Sequence, residues 1–279
     1  MEAPLTCDQG LYLYGIVAYP MALPAHLEAV EDGTSVDLIA DAGIACVVSS
    51  VRARDYHSSV IGRTTSEQLQ WVTPRAWRHH DIVRQLQART AVIPLKFGTL
   101  CNSADDVRDM LARRRMAIAA LLGRLAGKDE WTLTIRVDRE RVAALVERTD
   151  SDLLALGAEE QVLRDGRAYF ARKKRQRRLE DLLASHMSSI TQMVHERLGN
   201  LVDVCAVEHT QASGAALLVE RLRFSALTQS LADLETEHAV CGLSLELSGP
   251  WAPYSFVTDC LDGRELTSAS GIDSRPRFD

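Results

Sequence analysis

The residues whose types could support catalysis or metal binding include eight histidines and six cysteines. His79 and His80 are adjacent on a predicted helix, so their rings point to different sides and do not form one site. Cys205, His209 and Cys241 come from neighbouring predicted strands and could meet at a metal ion, but their placement lacks a recognised ligand spacing. The sequence therefore predicts no catalytic residue and no metal site.

Glycine-rich loops that hold cofactors are the next kind of chemistry to consider. The chain contains no G-x-G-x-x-G turn, no Walker loop and no G-x-S-x-G nucleophile elbow. Lys96-Phe97-Gly98-Thr99 precedes a predicted helix, but it has one glycine where a phosphate cradle has several. We interpret this segment as a structural turn, with the Lys96 side chain extended towards solvent. The sequence therefore predicts no cofactor and a protein that is not an enzyme.

The densest cluster of charge is residues 172–178, of which six in seven are basic. Such a run on a helix is typical of a contact with nucleic acid or with an acidic partner. The alternative is a solvated helix face, because acidic residues flank the run and the net charge of the chain is −6. Arg172, Lys173 and Arg175 are the candidate partner-binding residues of this run. They also define an alternative function, a nucleic-acid-binding regulatory protein, although the acidic net charge argues against a nucleic-acid partner.

Residues 249–256 combine two prolines with three aromatic residues, in a chain that is 5% aromatic. Proline fixes φ and donates no backbone hydrogen bond, so this segment is predicted to form a stiff corner. It follows an alternating apolar pattern that predicts an edge strand over 241–247. We expect the corner to end that strand and to close one end of a core, with partner binding as the alternative. The candidate partner-binding residues here are Leu243, Leu245, Trp251 and Tyr254.

Length and composition indicate an ordinary globular protein. The chain has 279 residues, of which 46% are hydrophobic and 25% are charged, and this length corresponds to roughly two domains. The cysteines form no C-x-x-C pair, which fits reduced thiols. The N-terminal residues lack a positively charged leader, and glycine and proline interrupt the uncharged stretch 9–25. We therefore expect a cytoplasmic protein without a membrane anchor.

The first half of the chain is predicted to mix strands and helices. The predicted strands cover 11–17, 36–39, 44–51 and 91–95, with a hairpin turn at 41–43. The predicted helices cover 65–72 and 75–88, separated at Pro74, and a third helix follows a capping box that begins at Ser103. This half is therefore predicted to be an α+β domain over residues 1–128.

The second half is predicted to follow the order β-α-β-β-α-β, which is the ferredoxin-like arrangement. Its predicted strands are 131–137, 201–208, 215–222 and 241–247. A long helical region, 139–197, is interrupted near Gly157 and Gly166 and forms an enlarged first crossover, and a second helix covers 225–238. The fold class is therefore α+β, with a ferredoxin-like domain over 129–257 and a flexible polar tail over 258–279.

Four separated segments together resemble the gas vesicle protein F/L family (GvpF/GvpL). They are 11–17 (LYLYGIV), 92–99 (VIPLKFGT), 166–169 (GRAY) and 249–256 (GPWAPYSF). The last three are similar to the family segments V-L-P-L-R-F-G-T, G-R-A-Y-L and G-P-W-P-P-Y-S-F, and the first is similar to its opening strand. Their order and spacing match across roughly residues 10–257. Ala252 stands where the family commonly has proline, and Lys96 where it commonly has arginine.

The resemblance implies a non-enzymatic accessory or minor structural protein of gas vesicle formation. It also implies two α+β domains, the second a modified ferredoxin fold. The implied partners are the small hydrophobic shell protein GvpA and other accessory Gvp proteins, and the implied location is the gas vesicle. Our hypothesis is that the protein binds GvpA during assembly and limits its premature aggregation, because unpaired strand edges and apolar surfaces aggregate.

Overall fold

The computed structural model describes residues 9–56, 66–162, 166–199, 201–208 and 213–257. Two β-sheets and six α-helices lie within these residues, so the α+β class predicted from the sequence is confirmed. The strands are β1 (Gln9–Ala18), β2 (Val36–Asp41), β3 (Ile44–Arg52), β4 (Val92–Pro94), β5 (Leu100–Cys101), β6 (Lys128–Arg136), β7 (Asp203–Glu208), β8 (Ser213–Glu220) and β9 (Ser244–Trp251). The helices are α1 (Ser66–Gln87), α2 (Ala104–Leu125), α3 (Arg139–Thr149), α4 (Ser151–Val162), α5 (Gly166–Gly199) and α6 (Phe224–Glu237). Within the described ranges, no helix combines the length and apolar character required to cross a membrane.

Contacts divide the chain into two compact units. The first contains the residues up to Glu130 together with those from Pro250 onwards, and the second is Trp131–Gly249. The predicted domains, 1–128 and 129–257, assign the residues after Gly249 to the second domain, and those bounds stay a prediction. The predicted tail, 258–279, lies outside the described residues.

The sheet of the first unit has β1 at its centre. Its order is β2-β3-β1-β4, and β5 also pairs with β1. The predicted hairpin is present, because β2 and β3 pair antiparallel across a turn in which Ala42 and Gly43 have positive φ (36° and 89°). Positive φ at both central residues gives the turn a backbone twist that matches the right-handed twist of the two strands it joins.

Gly15 permits a close approach between β1 and β4. The pairing of β1 with β3 shifts register between Leu13 and Gly15, so one extra residue is inserted on β1. A Cβ atom on Gly15 would lie 2.9 Å from Cγ2 of Val92 and 3.0 Å from the carbonyl oxygen of Ile93. A side chain at this position would therefore push β4 away.

The two helices predicted on either side of Pro74 are one helix, α1, with Pro74 inside it. The expected break is absent although proline removes one backbone hydrogen bond. Pro74 lies on the exposed side of α1, where the freed carbonyl can be solvated. Packing of Ile82, Val83 and Leu86 into the core offsets the cost of the proline. The predicted cap of α2 is confirmed, since the Ser103 hydroxyl accepts a hydrogen bond from the Asp106 amide at 3.1 Å.

The second unit contains the four-stranded sheet, in the order β7-β8-β6-β9. The predicted alternation in β6 is confirmed, because Leu133 and Ile135 are buried while Thr134 between them is partly exposed. These two residues pack with α5 and α6 side chains, including Val194 and Leu231, in the unit's main apolar core. Helices α5 and α6 therefore pack on the face of the sheet that carries Leu133 and Ile135.

The helical crossover between β6 and β7 breaks at Asp150, whereas the sequence predicted a break near Gly157. Asp150 lies between α3 and α4, and its carboxylate accepts a hydrogen bond from the Leu153 amide at 2.9 Å. A helix begins readily after such a side-chain acceptor. Gly157 lies inside α4, where a Cβ atom would lie 3.8 Å from Nε of Arg175 on α5. This glycine therefore lies where α4 passes close to α5. The second predicted break is confirmed, because α5 begins at Gly166.

The last strand, β9, is displaced from its predicted bounds of 241–247. The chain forms a helical turn at Ala239–Cys241 and then reverses at Gly242, whose φ is +62°. The strand therefore begins at Ser244, and it continues through Pro250 to Trp251. Pro250 lies next to the end of β9, which is the last strand in the described order of its sheet, and strand prolines are found mainly on edge strands.

Candidate partner-binding surfaces

The two leucines predicted to bind a partner face the core of the second unit. Leu243 and Leu245 are only 6% and 8% exposed to solvent, and they pack with the buried residues of the sheet and of α6. Glu246 points the other way, is exposed and forms an ion pair with Arg136. Partner binding by the two leucine side chains stays a prediction, and in this structure β9 offers a partner its backbone edge.

The backbone edge of β9 carries a side-chain acceptor. The amide of Leu245 donates a 2.6 Å hydrogen bond to Oε1 of Glu235 on α6. Because N–H groups alternate in direction along a strand, the amide of Leu247 points to the same side as that of Leu245. The Glu235 carboxylate therefore covers the beginning of this edge, as charged residues commonly do at exposed sheet edges.

The proline-tryptophan corner packs into the core of the first unit. Ala252 is buried in the same apolar cluster as Tyr12 and Tyr14 of β1, and Tyr254 packs against that cluster. The backbone carbonyl of Trp251 accepts a 3.0 Å hydrogen bond from the side-chain amide of Gln87 on α1. Trp251 and Tyr254 are both partly buried. Their role in partner binding stays a prediction, and in this structure their contacts fasten the corner to the first unit.

Glu130 is the second anchor of the corner. Its side chain is buried, with 1% exposure. One carboxylate oxygen accepts a 2.8 Å hydrogen bond from the backbone amide of Ser255, and the other accepts a 2.9 Å hydrogen bond from the Ser255 hydroxyl. A buried carboxylate with two donors is far less costly than one without partners. The pattern of the corner predicted rigidity, but it did not predict this carboxylate as its partner.

His79 lies at the centre of a buried polar cluster in the first unit. Its Nδ1 is 2.9 Å from the Tyr12 hydroxyl, and its Nε2 is 3.1 Å from both the Leu95 carbonyl and the Tyr254 hydroxyl. A carbonyl only accepts, so Nε2 carries the proton and Nδ1 accepts from Tyr12. The Tyr12 oxygen in turn accepts a 3.1 Å hydrogen bond from the Gly98 amide.

The same cluster fixes the charge of His79. Burial, with a smaller effect of neighbouring His80, lowers the pKa of His79 to about 3. Burial raises the pKa of Tyr12 and Tyr254 above their usual values. All three side chains are therefore neutral near pH 7, and their hydrogen bonds position β1, α1 and the corner relative to one another.

The basic run lies on α5, and half of its charges are already paired within the second unit. Arg172 donates to Glu160 of α4 at 2.7 Å. Arg175 donates to Glu147 of α3 at 2.8 Å, and Arg178 donates to Asp150 at 3.1 Å. Two of the predicted partner-binding residues, Arg172 and Arg175, thus hold α3 and α4 against α5. The third, Lys173, is exposed, and its role in binding a partner stays a prediction.

Aromatic exposure at the start of α5 is a feature that the sequence-based reasoning missed. Tyr169 and Phe170 are 61% and 71% exposed, and their ring centroids lie 5.8 Å apart. The signal was present in the sequence, because two adjacent aromatic residues precede the basic run with only Ala171 between them. Trp131 of β6 instead stacks on Phe224 with centroids 4.4 Å apart, so this ring is already covered by a neighbour.

Strand edges, exposed aromatic rings and unpaired surface cations are features by which proteins bind other macromolecules. A family model described as "Gas vesicle synthesis protein GvpL/GvpF" matches residues 10–258. The chain belongs to this GvpL/GvpF family. The resemblance found in the four sequence segments is thereby confirmed, and the protein has a gas-vesicle-related role.

Curated relatives agree with the family model over nearly the whole chain. Gas vesicle protein L of a Streptomyces species is 26% identical over 265 residues, which cover 91% of this chain and 94% of that protein. Gas vesicle protein L2 of Halobacterium salinarum is 25% identical over 282 residues, which cover 94% of this chain and 96% of that protein.

Solved structures share the fold. The crystal structure of GvpF from an Anabaena species aligns with a TM-score of 0.70 at 21% identity, covering 89% of this chain and 98% of the other. The crystal structure of GvpF from Microcystis aeruginosa aligns with a TM-score of 0.60 at 17% identity and the same coverage. These similarities confirm the α+β fold.

Proposed function

We propose that this protein acts in gas vesicle assembly by binding the hydrophobic shell protein GvpA, together with other accessory Gvp proteins. We place it in the cytoplasm and at the growing gas vesicle, without a catalytic role. Family membership supports the process. The observation that carries the binding mechanism is the position of β9, which ends the described order of its sheet while the buried side chain of Leu245 packs into the core.

The physical reason for such a protein lies in the shell subunit. A small apolar subunit that forms β-structure exposes unpaired backbone edges until it joins the shell, and such edges pair with one another. A strand that adds to the edge of β9 would satisfy those groups by main-chain hydrogen bonds. The subunit could then be released without breaking any apolar core.

The Glu235 carboxylate makes this capture reversible. It accepts a hydrogen bond from the Leu245 amide at 2.6 Å, so an incoming strand must displace it to pair with the first residues of β9. Displacement costs part of the energy that the new backbone pairing supplies. The edge is therefore protected against self-association while it remains accessible to a partner that forms several hydrogen bonds.

We also propose that the second unit is a modified ferredoxin-like domain. Its strands and helices follow β-α-β-β-α-β along the chain, and its sheet order is β7-β8-β6-β9. The three helices α3, α4 and α5 form the enlarged first crossover. These features support the classification.

The proposed function is tested by co-expressing the tagged full chain with GvpA, alone and with the accessory Gvp proteins. We expect GvpA to be recovered with the tagged chain and to be found in the supernatant rather than in the pellet. If GvpA fails to associate under every combination, the binding mechanism is wrong. Deletion of the gene, read out by cell buoyancy, tests the process separately.

A further inference from the structure

One end of the α4–α5 pair presents apolar and basic side chains together. The two helices are antiparallel. Glu160 of α4 pairs with Arg172 of α5, and Gly157, which comes earlier in α4, lies opposite Arg175, which comes later in α5. The same register brings Val162, at the end of α4, opposite the first turns of α5. Val162 is 81% exposed, and Tyr169 and Phe170 are 61% and 71% exposed. Three large apolar side chains are thus uncovered at one end of the helix pair.

The cations beside these residues differ from the rest of the basic run. Arg172, Arg175 and Arg178 point towards α3 and α4 and pair with acidic residues there. Lys173, Lys174 and Arg177 are exposed, and within the described residues they have no ion-pair partner. Helical spacing places Lys173 one turn after Tyr169 and Lys174 one turn after Phe170. We call Val162, Tyr169, Phe170, Lys173, Lys174 and Arg177 the helix-end surface.

We propose that the helix-end surface binds an amphipathic helix of a partner protein that carries acidic residues beside its apolar face. Tyr169 and Phe170 provide rigid apolar anchors, which are the side chains that dominate binding energy at interfaces. The three unpaired cations meet the acidic residues of the partner and set its orientation. None of its residues belongs to β9, and the proposal holds whether or not GvpA binds at the edge of that strand.

Charge favours a protein partner over a nucleic acid. Among the described residues of α5, the cations without an ion pair are few and interrupted, with Arg167 before the two aromatic residues and Lys173, Lys174 and Arg177 after them, and exposed Glu180 and Asp181 follow on the same helix. A phosphate backbone needs a longer row of cations, and these carboxylates would repel it. A short acidic helix requires only one patch of positive charge next to an apolar surface.

The test uses the full-length protein and a fluorescein-labelled synthetic amphipathic peptide, with leucine on one face and glutamate beside it. Binding is measured by fluorescence anisotropy, with a peptide that carries lysine in place of glutamate as the comparison probe. We expect the acidic peptide to bind, and the lysine peptide to bind at least about tenfold more weakly. The variants Tyr169→Ser/Phe170→Ser and Lys173→Glu/Lys174→Glu should each weaken binding of the acidic peptide about tenfold.

The matched control is Arg89→Glu/Lys96→Glu, which makes the same change in net charge at two exposed positions of the first unit. It should leave binding of the acidic peptide unchanged, and circular dichroism confirms that all variants are folded. The proposal is overturned if the acidic peptide does not bind, if the control weakens binding as much as Lys173→Glu/Lys174→Glu, or if a single-stranded oligonucleotide binds more tightly than the peptide.

Discussion

At the scale of single residues, His79 shows how the first unit depends on a neutral side chain. It is fully buried, its Nδ1 accepts from Tyr12, and its pKa is lowered to about 3. In the unfolded chain a histidine titrates near its ordinary value of about 6.5. The unfolded state therefore binds the proton first as the pH falls, and folding becomes less favourable below that value.

The expected result is a loss of stability of about 1.4 kcal/mol for each pH unit below about 6.5, and no contribution of His79 above it. Denaturant unfolding followed by tryptophan fluorescence at several pH values between 5 and 8 measures this. His79→Gln should flatten the dependence, while His80→Gln should preserve it. An equally steep dependence in His79→Gln would assign the effect to other groups.

Gly15 gives a second prediction at this scale. An alanine there would place its Cβ 2.9 Å from Cγ2 of Val92 and 3.0 Å from the Ile93 carbonyl oxygen. Because the second of these contacts is backbone, Gly15→Ala should destabilise the protein by about 1–3 kcal/mol. Gly123→Ala is the control, since a Cβ there meets nothing within 4 Å and should stabilise α2 by up to about 1 kcal/mol. Equal unfolding midpoints for the two variants would contradict this explanation.

Some of these residues were predictable and some were not. The pattern of residues 11–17 predicts a strand, and β1 covers it. The pattern does not predict that the Tyr12 hydroxyl bonds His79, because these residues are 67 positions apart and meet only when α1 packs on the sheet. Because His79 and His80 are adjacent, their side chains were predicted to point in different directions. Their positions in the sequence did not indicate which of the two is buried.

Among the secondary-structure elements, the edge of β9 that is covered by Glu235 gives the next prediction. Glu235→Ala removes the acceptor of the Leu245 amide and leaves the beginning of the edge uncovered. We expect more self-association at high protein concentration, because an uncovered edge pairs with other strands. Asp233→Ala is the matched control, since Asp233 lies on the same helix and accepts from Gln229 rather than from β9. Size-exclusion chromatography over a concentration series measures the effect, and identical profiles for the two variants would show that the edge is not guarded by Glu235.

The elements also show where sequence patterns lose information. The alternation of Leu133 and Ile135 identifies β6, because one face of that strand is buried and the other is not. The break in the helical crossover was placed at Gly157, since glycine is a poor helix former. The actual break is at Asp150. Its carboxylate accepts the hydrogen bond of the Leu153 amide, which has no backbone carbonyl as an acceptor in the first turn of α4. In a sequence, a single capping aspartate is a weaker indicator of a helix boundary than a glycine is. Here, however, the aspartate marks the boundary.

The basic run illustrates the same limit for the candidate surfaces. Its composition predicts an exposed cationic helix, and Lys173 is exposed as expected. The pairing of Arg175 with Glu147 and of Arg178 with Asp150 joins residues 28 positions apart. Such pairs arise from the packing of α3 on α5, so the sequence alone does not separate the arginines that hold helices together from the lysines that remain available.

At the scale of the whole molecule, family membership rests on segments distributed from the first strand to the final corner, and the family model spans residues 10–258. The order of strands and helices in the second unit follows from sequence patterns with small shifts at the ends. The attachment of the corner to the first unit does not follow from them, because it depends on Glu130 and Gln87, whose side chains meet the corner only in the folded chain.

We propose that this chain binds GvpA and limits its aggregation. The most direct measurement is light scattering after GvpA is diluted from denaturant into buffer with increasing amounts of the folded full-length protein. We predict that scattering falls with added protein and reaches a plateau at a fixed molar ratio, because each captured edge is protected by one binding surface. An unrelated folded protein of similar net charge serves as the control. If the scattering stays unchanged, or if the control lowers it equally, the chain does not protect GvpA.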